Sequence, residues 1–217
     1  MARFCKATCK QKISCNKLIV YMFVNINCSS EGIMNRTGTY VAFDGLGQTD
    51  PTKSDFRYYA TLQAWTKNKN IDFKFTDSHS KTYAVRDSSL KSTLYARIRE
   101  RLGASKNMIV IISKDTRKTG SVLSYEIEQA IDVYKIPLII VYPDYSTICD
   151  VDALSDMWPK SLADRINNKD TKAIHIAFAK EPILEAINRF TVNKSNLSSG
   201  KHYYSKEAYI SWGLDNR

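Results

Sequence analysis

Short apolar runs alternate with amphipathic stretches along the chain from residue 38 onward. Runs typical of β-strands occupy residues 39–45, 71–77, 108–113, 137–143 and 173–179. The stretches between and after them predict helices at residues 54–70, 88–102, 122–134, about 157–167 and 182–190. In the second of these helices Leu90, Leu94, Ile98 and Leu102 recur at a spacing of four residues, which places them on one face.

This alternation predicts an α/β fold with a parallel sheet covered by helices on both faces. The runs "MIVII" and "LIIVY" contain no charged residue, which is typical of central strands buried on both sides. We therefore expect a single flavodoxin-like, doubly wound domain with five parallel strands in the order 2-1-3-4-5 and right-handed crossovers. Ligands of such sheets bind beyond the carboxyl ends of the strands. That rule selects as candidates Phe43, Asp44, Gly45, Asp77, His79, Ser113, Lys114, Asp115 and Asp144.

Three segments differ in composition. Residues 1–33 join a basic stretch to the apolar run "LIVYMFVNI", a profile typical of a signal peptide and too short for a membrane span. We expect an extension with no catalytic role, either a leader or a consequence of translation starting upstream of Met34. Residues 34–190 carry the predicted domain. Residues 191–217 form an aromatic-rich tail, which we expect to pack on the domain or on a partner.

The amino-acid composition limits the classes of function that this chain is expected to have. A net charge of +10 favours anionic partners, but lysine and arginine are spread along the chain without a zinc-finger or RNP motif. We therefore expect no nucleic-acid partner, and a mildly basic pocket for a phosphorylated small ligand instead. Four of the five cysteines lie in the first 28 residues, no Cys-x-x-Cys occurs, and the three histidines are scattered. This argues against a metal site and predicts a reduced, cytoplasmic protein.

Glu126 is the candidate catalytic residue. It lies roughly 80–90° from the centre of the apolar stripe of helix 122–134, at about 100° per residue, and so at the border of the buried face. A carboxylate there has two interpretations. It complements the helix dipole, which is worth about 0.3–1 kcal/mol, or it acts in a cleft. Its distance from the probable N-cap, Ser121, weakens the first interpretation but does not remove it.

Several motifs resemble those of TIR domains. Ser113 ends the third predicted strand, and "VLSYEI" at 122–127 stands where TIR domains have a Trp-hydrophobic-x-x-Glu box opening the next helix. The motifs "YVAFD", "RDSS" and "SYEI…AI…PLIIV" look more specifically like the TIR-like domain of the Thoeris anti-phage defence system's B protein. The resemblance covers residues 38–145 well and 146–190 loosely. Val122 replaces the frequent tryptophan, so an aromatic wall of the pocket is either missing or supplied by Phe43 or Tyr125.

The resemblance implies an enzyme of the NAD⁺ nucleosidase or ADP-ribosyl cyclase type, with NAD⁺ as substrate and no cofactor. Departure of nicotinamide leaves an oxocarbenium-like ribose, whose charge Glu126 would stabilise. Capture of that ribose by the same molecule would give a cyclic ADP-ribose isomer. The resemblance further implies that this diffusible nucleotide signals to a separate effector protein after an unknown phage trigger.

The other implied contacts concern substrate binding. Phe43 is expected to stack on the ligand, while Asp44 and Ser113 are placed to bind ribose or nicotinamide amide groups. Asp77 and Tyr125 complete the set of substrate-binding candidates. Asp77 belongs to the loop after the second predicted strand.

Two alternatives to an NAD⁺-cleaving enzyme stay open. A nucleoside deoxyribosyltransferase-like enzyme also uses a glutamate against an anomeric carbon. A non-catalytic TIR module would assemble through its loops and tail and tolerate the loss of Glu126. A response-regulator receiver needs clustered acids after strand one and an aspartate ending strand three, whereas here Asp44 stands alone and strand three ends in Ser113. Assembly into a homo-oligomer is left open, and no stable membrane span is expected.

Overall fold

The computed structural model describes residues 36–47, 50, 52–73, 75–77, 91–194 and 197–214. Predictions for the extension at residues 1–33, for His79 and for the start of the helix near residue 88 lie outside the described residues.

Five parallel strands form one sheet, in the order β1-β2-β3-β4-β5. They are β1 (Gly38–Ala42), β2 (Ser105–Ile111), β3 (Leu138–Tyr142), β4 (Lys172–Ala177) and β5 (Gly200–Tyr203). The described helices are α1 (Phe56–Lys67), α2 (Lys91–Gly103), α3 (Val122–Glu128), α4 (Lys160–Asn167), α5 (Lys180–Arg189) and α6 (Lys206–Ser211). This architecture confirms the predicted α/β fold with a five-stranded parallel sheet.

The sheet contains a different fifth strand from the one predicted. Within residues 71–77, the described part contributes one isolated bridge, between Asp77 and Thr39, and the segment packs mainly through Phe73 against Trp65 of α1. The prediction of a full strand there is wrong: within the described residues the segment's backbone is held to β1 by that bridge and by the amide of Thr39, which donates to the carbonyl of Thr76 at 2.7 Å. β5, from the predicted tail, pairs with β4 at the opposite edge instead.

Alternate residues of β1 to β4 face two separate cores, as the two-residue period of a strand requires. Tyr40 of β1 faces the core shared with α2, α3 and α4, whereas Val41 faces the core shared with α1 and α5. Residues 108–112 and 138–142 are fully buried, in agreement with the two apolar runs. The position of β1 between two helical layers brings its carboxyl end within reach of both α1 and α3.

The helix that carries Glu126 widens at its end. After α3 the chain makes a π-helical turn (Gln129–Val133), in which the backbone amide of Tyr134 donates to the carbonyl of Gln129 at 3.0 Å. The predicted helix 122–134 is thus formed, with a broader last turn. Its buried side chains anchor the helix on the sheet and so fix the position of its first turn; they are Leu123, Ile127, Ala130 and Ile131.

The C-terminal segment packs on the domain. Tyr209 of α6 is fully buried, and its hydroxyl accepts a hydrogen bond from the backbone amide of Ala177 at 3.3 Å. Packing on the domain is one of the two outcomes expected for the tail, and the domain limits at residues 33 and 190 stay a prediction. Within the described residues, none of the helices has the length and apolarity needed to cross a membrane.

Candidate active site

The carboxylate of Glu126 points inward to β1. The hydroxyl of Tyr40, a residue only 1% exposed, donates to Glu126 Oε1 at 2.5 Å. Burial raises the pKa of Glu126 to about 7, and the charge of Asp44 adds to this, while the hydrogen bond from Tyr40 and the charge of Arg101 act in the opposite direction. Burial and the neighbouring carboxylate raise the pKa of Tyr40 well above its usual value, so the phenol keeps its proton and remains the donor.

The first turn of α3 explains this placement. Leu123 and Ile127 are buried in the core beneath the helix, and Glu126 is half-buried beside them. Ser121 occupies the N-cap position with extended backbone, but its hydroxyl forms no cap hydrogen bond and is buried without a partner among the described residues. The helix start is therefore fixed by packing of its apolar face more than by capping.

A two-point ion pair lies at the end of β1. The buried carboxylate of Asp44, 3% exposed, accepts hydrogen bonds from Arg117 Nε and Nη2, both at 2.8 Å, and from the amides of Arg117 and Leu46. Burial acts to raise the pKa of Asp44, but the hydrogen bonds from Arg117 outweigh it and hold that pKa below its usual value. Asp44 is therefore ionised at neutral pH. The sequence prediction missed Arg117, although a cation close after the strand-end Ser113 was a usable signal.

A second buried carboxylate, Asp55, closes the turn after β2. The amide of Ser113 donates to Thr116 Oγ1 at 2.9 Å, and that hydroxyl donates to Asp55 Oδ2 at 3.0 Å. Asp55 Oδ1 is buried without a hydrogen-bond partner in the described part of the chain. Burial raises the pKa of Asp55, the hydroxyls of Ser113 and Thr116 oppose this, and the charge of Asp44 adds to it. Sequence analysis missed Asp55, having assigned the helix start to Ser54.

Phe43 and Asp77 are linked through α1. The ring of Phe43, which is half-buried, stacks on Tyr59 with 5.4 Å between centroids and meets Phe56 edge-on at 5.6 Å. The hydroxyl of Tyr59 donates to Asp77 Oδ2 at 2.7 Å. These two candidates thus belong to an aromatic cluster on the α1 side of the sheet, whereas Glu126 contacts the side covered by α2 and α3.

Part of the chain that contains these residues is similar to a known protein family. Residues 40–148 match the family described as Thoeris protein ThsB, TIR-like domain. The chain belongs to this family. It is a TIR-type protein of the Thoeris defence system, and the matched residues include Tyr40, Asp44, Ser113 and Glu126. A crystal structure of a conserved protein from Enterococcus faecalis V583 is also similar, with 16% identity and a TM-score of 0.35, covering 83% of this chain and 99% of that one.

Two features of the TIR box lie on the α3 surface. Val122, at the position where TIR domains often have tryptophan, is 42% exposed. Tyr125 stacks on Tyr95 of α2 with 3.9 Å between ring centroids, and its hydroxyl accepts a hydrogen bond from Arg99 at 3.0 Å. None of these contacts of Tyr125 involves Asp44, Ser113 or Glu126.

The TIR-like domain thus brings part of the predicted set together. Asp44 and Ser113 lie where β1 and β2 end, and Asp44 is close enough to Glu126 for its charge to affect the pKa of that carboxyl group. Phe43 follows β1 on the α1 side, Asp77 bridges Thr39 near the start of β1, and Tyr125 faces α2. Among the described residues, no group of three or more His, Cys, Asp or Glu side chains is arranged to hold a metal ion.

Proposed function

We propose that this TIR-like domain cleaves NAD⁺ at the nicotinamide–ribose bond and closes the remaining molecule into a cyclic ADP-ribose isomer. The observation that carries the proposal is the carboxylate of Glu126, partly desolvated and oriented by Tyr40 near the ends of β1 and β2. Membership of a defence-system family supports it, because a diffusible nucleotide fits signalling to a separate effector protein.

The first step is loss of nicotinamide. The electron pair of the C1′–N bond leaves with nicotinamide, which departs as a neutral base and needs no proton. Positive charge then develops on the ribose, and a nearby carboxylate stabilises that charge more strongly in a partly desolvated site than in water. Glu126 supplies this carboxylate. With a pKa of about 7, a large fraction of Glu126 is ionised at neutral pH.

The second step is capture of the ribose. A ring nitrogen of the adenine, or a hydroxyl group of the same molecule, forms the new bond to C1′. Where a hydroxyl attacks, its proton must be removed, and a carboxylate with a pKa near the working pH suits that task. Where water attacks instead, the product is linear ADP-ribose. Exclusion of water therefore decides between the cyclic and the linear product.

The other candidate residues have supporting roles in this proposal. Asp44, kept ionised by its ion pair with Arg117, ties the end of β1 to the loop that leads to α3 and so supports the position of Glu126. Phe43 offers a half-buried ring at the same edge for stacking on the nicotinamide or adenine. Ser113 and Asp44 remain candidates for binding the ribose or the amide group, and Asp77 and Tyr125 are candidates on the flanks.

Product analysis tests the proposal. The protein is incubated with NAD⁺, both purified and in extracts of phage-infected cells, and the products are identified by mass spectrometry. We expect nicotinamide and a cyclic ADP-ribose isomer. Turnover of deoxynucleosides without turnover of NAD⁺ would favour a deoxyribosyltransferase. Phage defence that persists in the Glu126→Gln variant without any NAD⁺ cleavage would favour a non-catalytic module.

A further inference from the structure

We infer that Tyr40 is a positioning residue for Glu126, because its buried hydroxyl group fixes Oε1 and leaves Oε2 to act on the substrate. The inference rests on the proposed function. Family membership does not assign this role to the first strand, and the sequence alone gave no reason to single out Tyr40, since a tyrosine within an apolar strand is most simply a core residue.

The geometry provides a rigid donor. Tyr40 lies within β1, and its ring is enclosed in the core that α2 and α3 share with the sheet. A ring fixed in this way holds its hydroxyl at one place, 2.5 Å from Glu126 Oε1. Oε2 has no hydrogen-bond partner among the described residues. One oxygen of the carboxylate is therefore anchored to the interior of the domain.

Among the described residues, three groups affect the pKa of this carboxyl group. Tyr40 and Asp44 approach it from β1 and the end of β1, and Arg101 approaches from α2. On the α4 side, Arg165 is engaged with Asp132, in the π-helical turn beyond Glu126. Tyr40 is the group in direct contact, and its hydrogen bond favours the ionised form against the effect of burial.

This contact gives Tyr40 two effects on the reaction. It orients the carboxylate, as a supporting residue does for a functional group whose own rotamer must be fixed. It also keeps Glu126 ionised at a lower pH than burial alone would allow. A residue needed only for packing would provide neither effect, so the two roles can be separated by experiment.

The experiment uses Tyr40→Phe, which keeps the ring and removes the hydroxyl. Steady-state NAD⁺ cleavage is measured on the full-length wild type and the variant across pH 5 to 9, roughly two units either side of the Glu126 pKa of about 7. In parallel, the pKa of Glu126 is measured by ¹³C NMR of the carboxyl carbons, with Glu126→Gln assigning the resonance. Tyr209→Phe is the control, since that buried hydroxyl contacts the backbone of Ala177 and not Glu126.

Without the Tyr40 hydroxyl, the pKa of Glu126 should rise. The acidic limb of the plot of kcat against pH should shift to higher pH with it. A rise of about one unit would lower kcat at pH 7 by about fivefold, and the loss should be smaller at pH 9. Tyr209→Phe should leave the limb in place. If the Tyr40→Phe variant is active and the acidic limb of its kcat profile stays at the wild-type pH, the positioning role of Tyr40 is wrong, while the proposed function stands. A wild type that never cleaves NAD⁺ would overturn the proposed function, and the positioning role with it.

Discussion

Asp44 and Arg117 form a two-point ion pair that ties the end of β1 to the loop leading from β2 into α3. Both contacts measure 2.8 Å, and the carboxylate is almost fully buried while the guanidinium is 48% exposed. The pair therefore fixes a loop that begins four residues before Arg117, at Ser113, and ends at α3. The placement of Glu126 depends on this loop as well as on the core beneath the helix.

Replacement of Arg117 by alanine should destabilise the fold. The buried Asp44 carboxylate would lose its main partner, and we expect a loss of about 2 kcal/mol in the free energy of unfolding, less than for a fully buried pair because Arg117 is half exposed. Urea denaturation at pH 7 measures it. Lys160→Ala is the matched control, since it breaks an exposed pair with Asp164 and should change stability by less than about 0.5 kcal/mol.

The effect of Arg117→Ala should also depend on pH. The pKa of Asp44 is lowered in the folded protein, so its contribution to stability is present above the unfolded pKa of about 4 and is lost as the pH falls through the folded value. The difference between wild type and Arg117→Ala should therefore shrink in acid. A difference that stayed constant down to pH 2, at or below typical folded Asp values of roughly 2–4, would show that Arg117 acts on stability by packing and not through this ion pair.

Replacement of Glu126 by glutamine should remove activity. The amide keeps the shape and still accepts the hydrogen bond from Tyr40, but it carries no charge to stabilise the ribose cation. We expect NAD⁺ turnover to fall at least about a hundredfold, comparable to the loss of one preorganised electrostatic group. Glu128→Gln is the control, since this side chain lies two residues further along and roughly 200° around the helix from Glu126, and it should behave like wild type. Full NAD⁺ turnover in the Glu126→Gln variant would show that Glu126 is not catalytic, and its interaction with the helix dipole would then be the preferred explanation.

Part of this arrangement was readable from the sequence and part was not. The uninterrupted runs in β2 and β3 signal burial on both faces, and the strand-end rule located Asp44 and Ser113. In contrast, β5 is short, half exposed and polar, and its place in the sheet is set by backbone pairing with β4. No local pattern reports such a pairing.

The contacts that shape the site are also long-range. Tyr40 and Glu126 are separated by 86 positions, and Asp55 and Thr116 by 61. The helical wheel placed Glu126 at the border of the buried face, but it could not show which residue of another element would meet the carboxylate. Hydrophobic periodicity reports which face of an element is buried and carries no information about the partner.

Glu126→Gln should also stabilise the protein, in a pH-dependent way. The pKa of Glu126 is raised from 4.5 to about 7 by burial, so the stability that the protonated form provides is complete below pH 4.5 and is lost as the pH rises through 7. The variant does not titrate at this position. Its advantage in unfolding free energy should grow between these pH values and level off at about 3 kcal/mol.

Thermal unfolding of both proteins at pH 4, 6 and 8 measures this difference, with pH 4 lying just below the usual glutamate pKa of about 4.3. A gain in stability together with a loss of turnover is the pattern expected where a functional group is kept in an unfavourable environment. If the Glu126→Gln variant had the same melting temperature as wild type at every pH, the carboxylate of Glu126 would be better hydrated than its contact with Tyr40 implies.

Substitutions of Asp55 and of Thr116 should change the stability of the protein in opposite directions, although the two side chains share one hydrogen bond. Burial raises the pKa of Asp55, and Oδ1 has no partner among the described residues, so its charged form is unfavourable in the fold. Stability from protonated Asp55 is present below the unfolded pKa and is lost as the pH rises through the folded one. Asp55→Asn, which cannot ionise, should therefore become more stable than wild type as the pH rises.

Thr116→Val keeps the shape of the side chain but removes the hydroxyl that accepts from the Ser113 amide and donates to Asp55. Because the amide and the carboxylate would both stay buried without this partner, we expect a loss of about 1–3 kcal/mol. Urea denaturation of the two variants at pH 5 and 8 tests the pair, the lower value lying about one unit above the usual aspartate pKa. Equal destabilisation by both would mean that ionised Asp55 is needed to hold the turn after β2. In that case the turn, and the start of α3 beyond it, would depend on a buried charge, whose loss of hydration opposes folding.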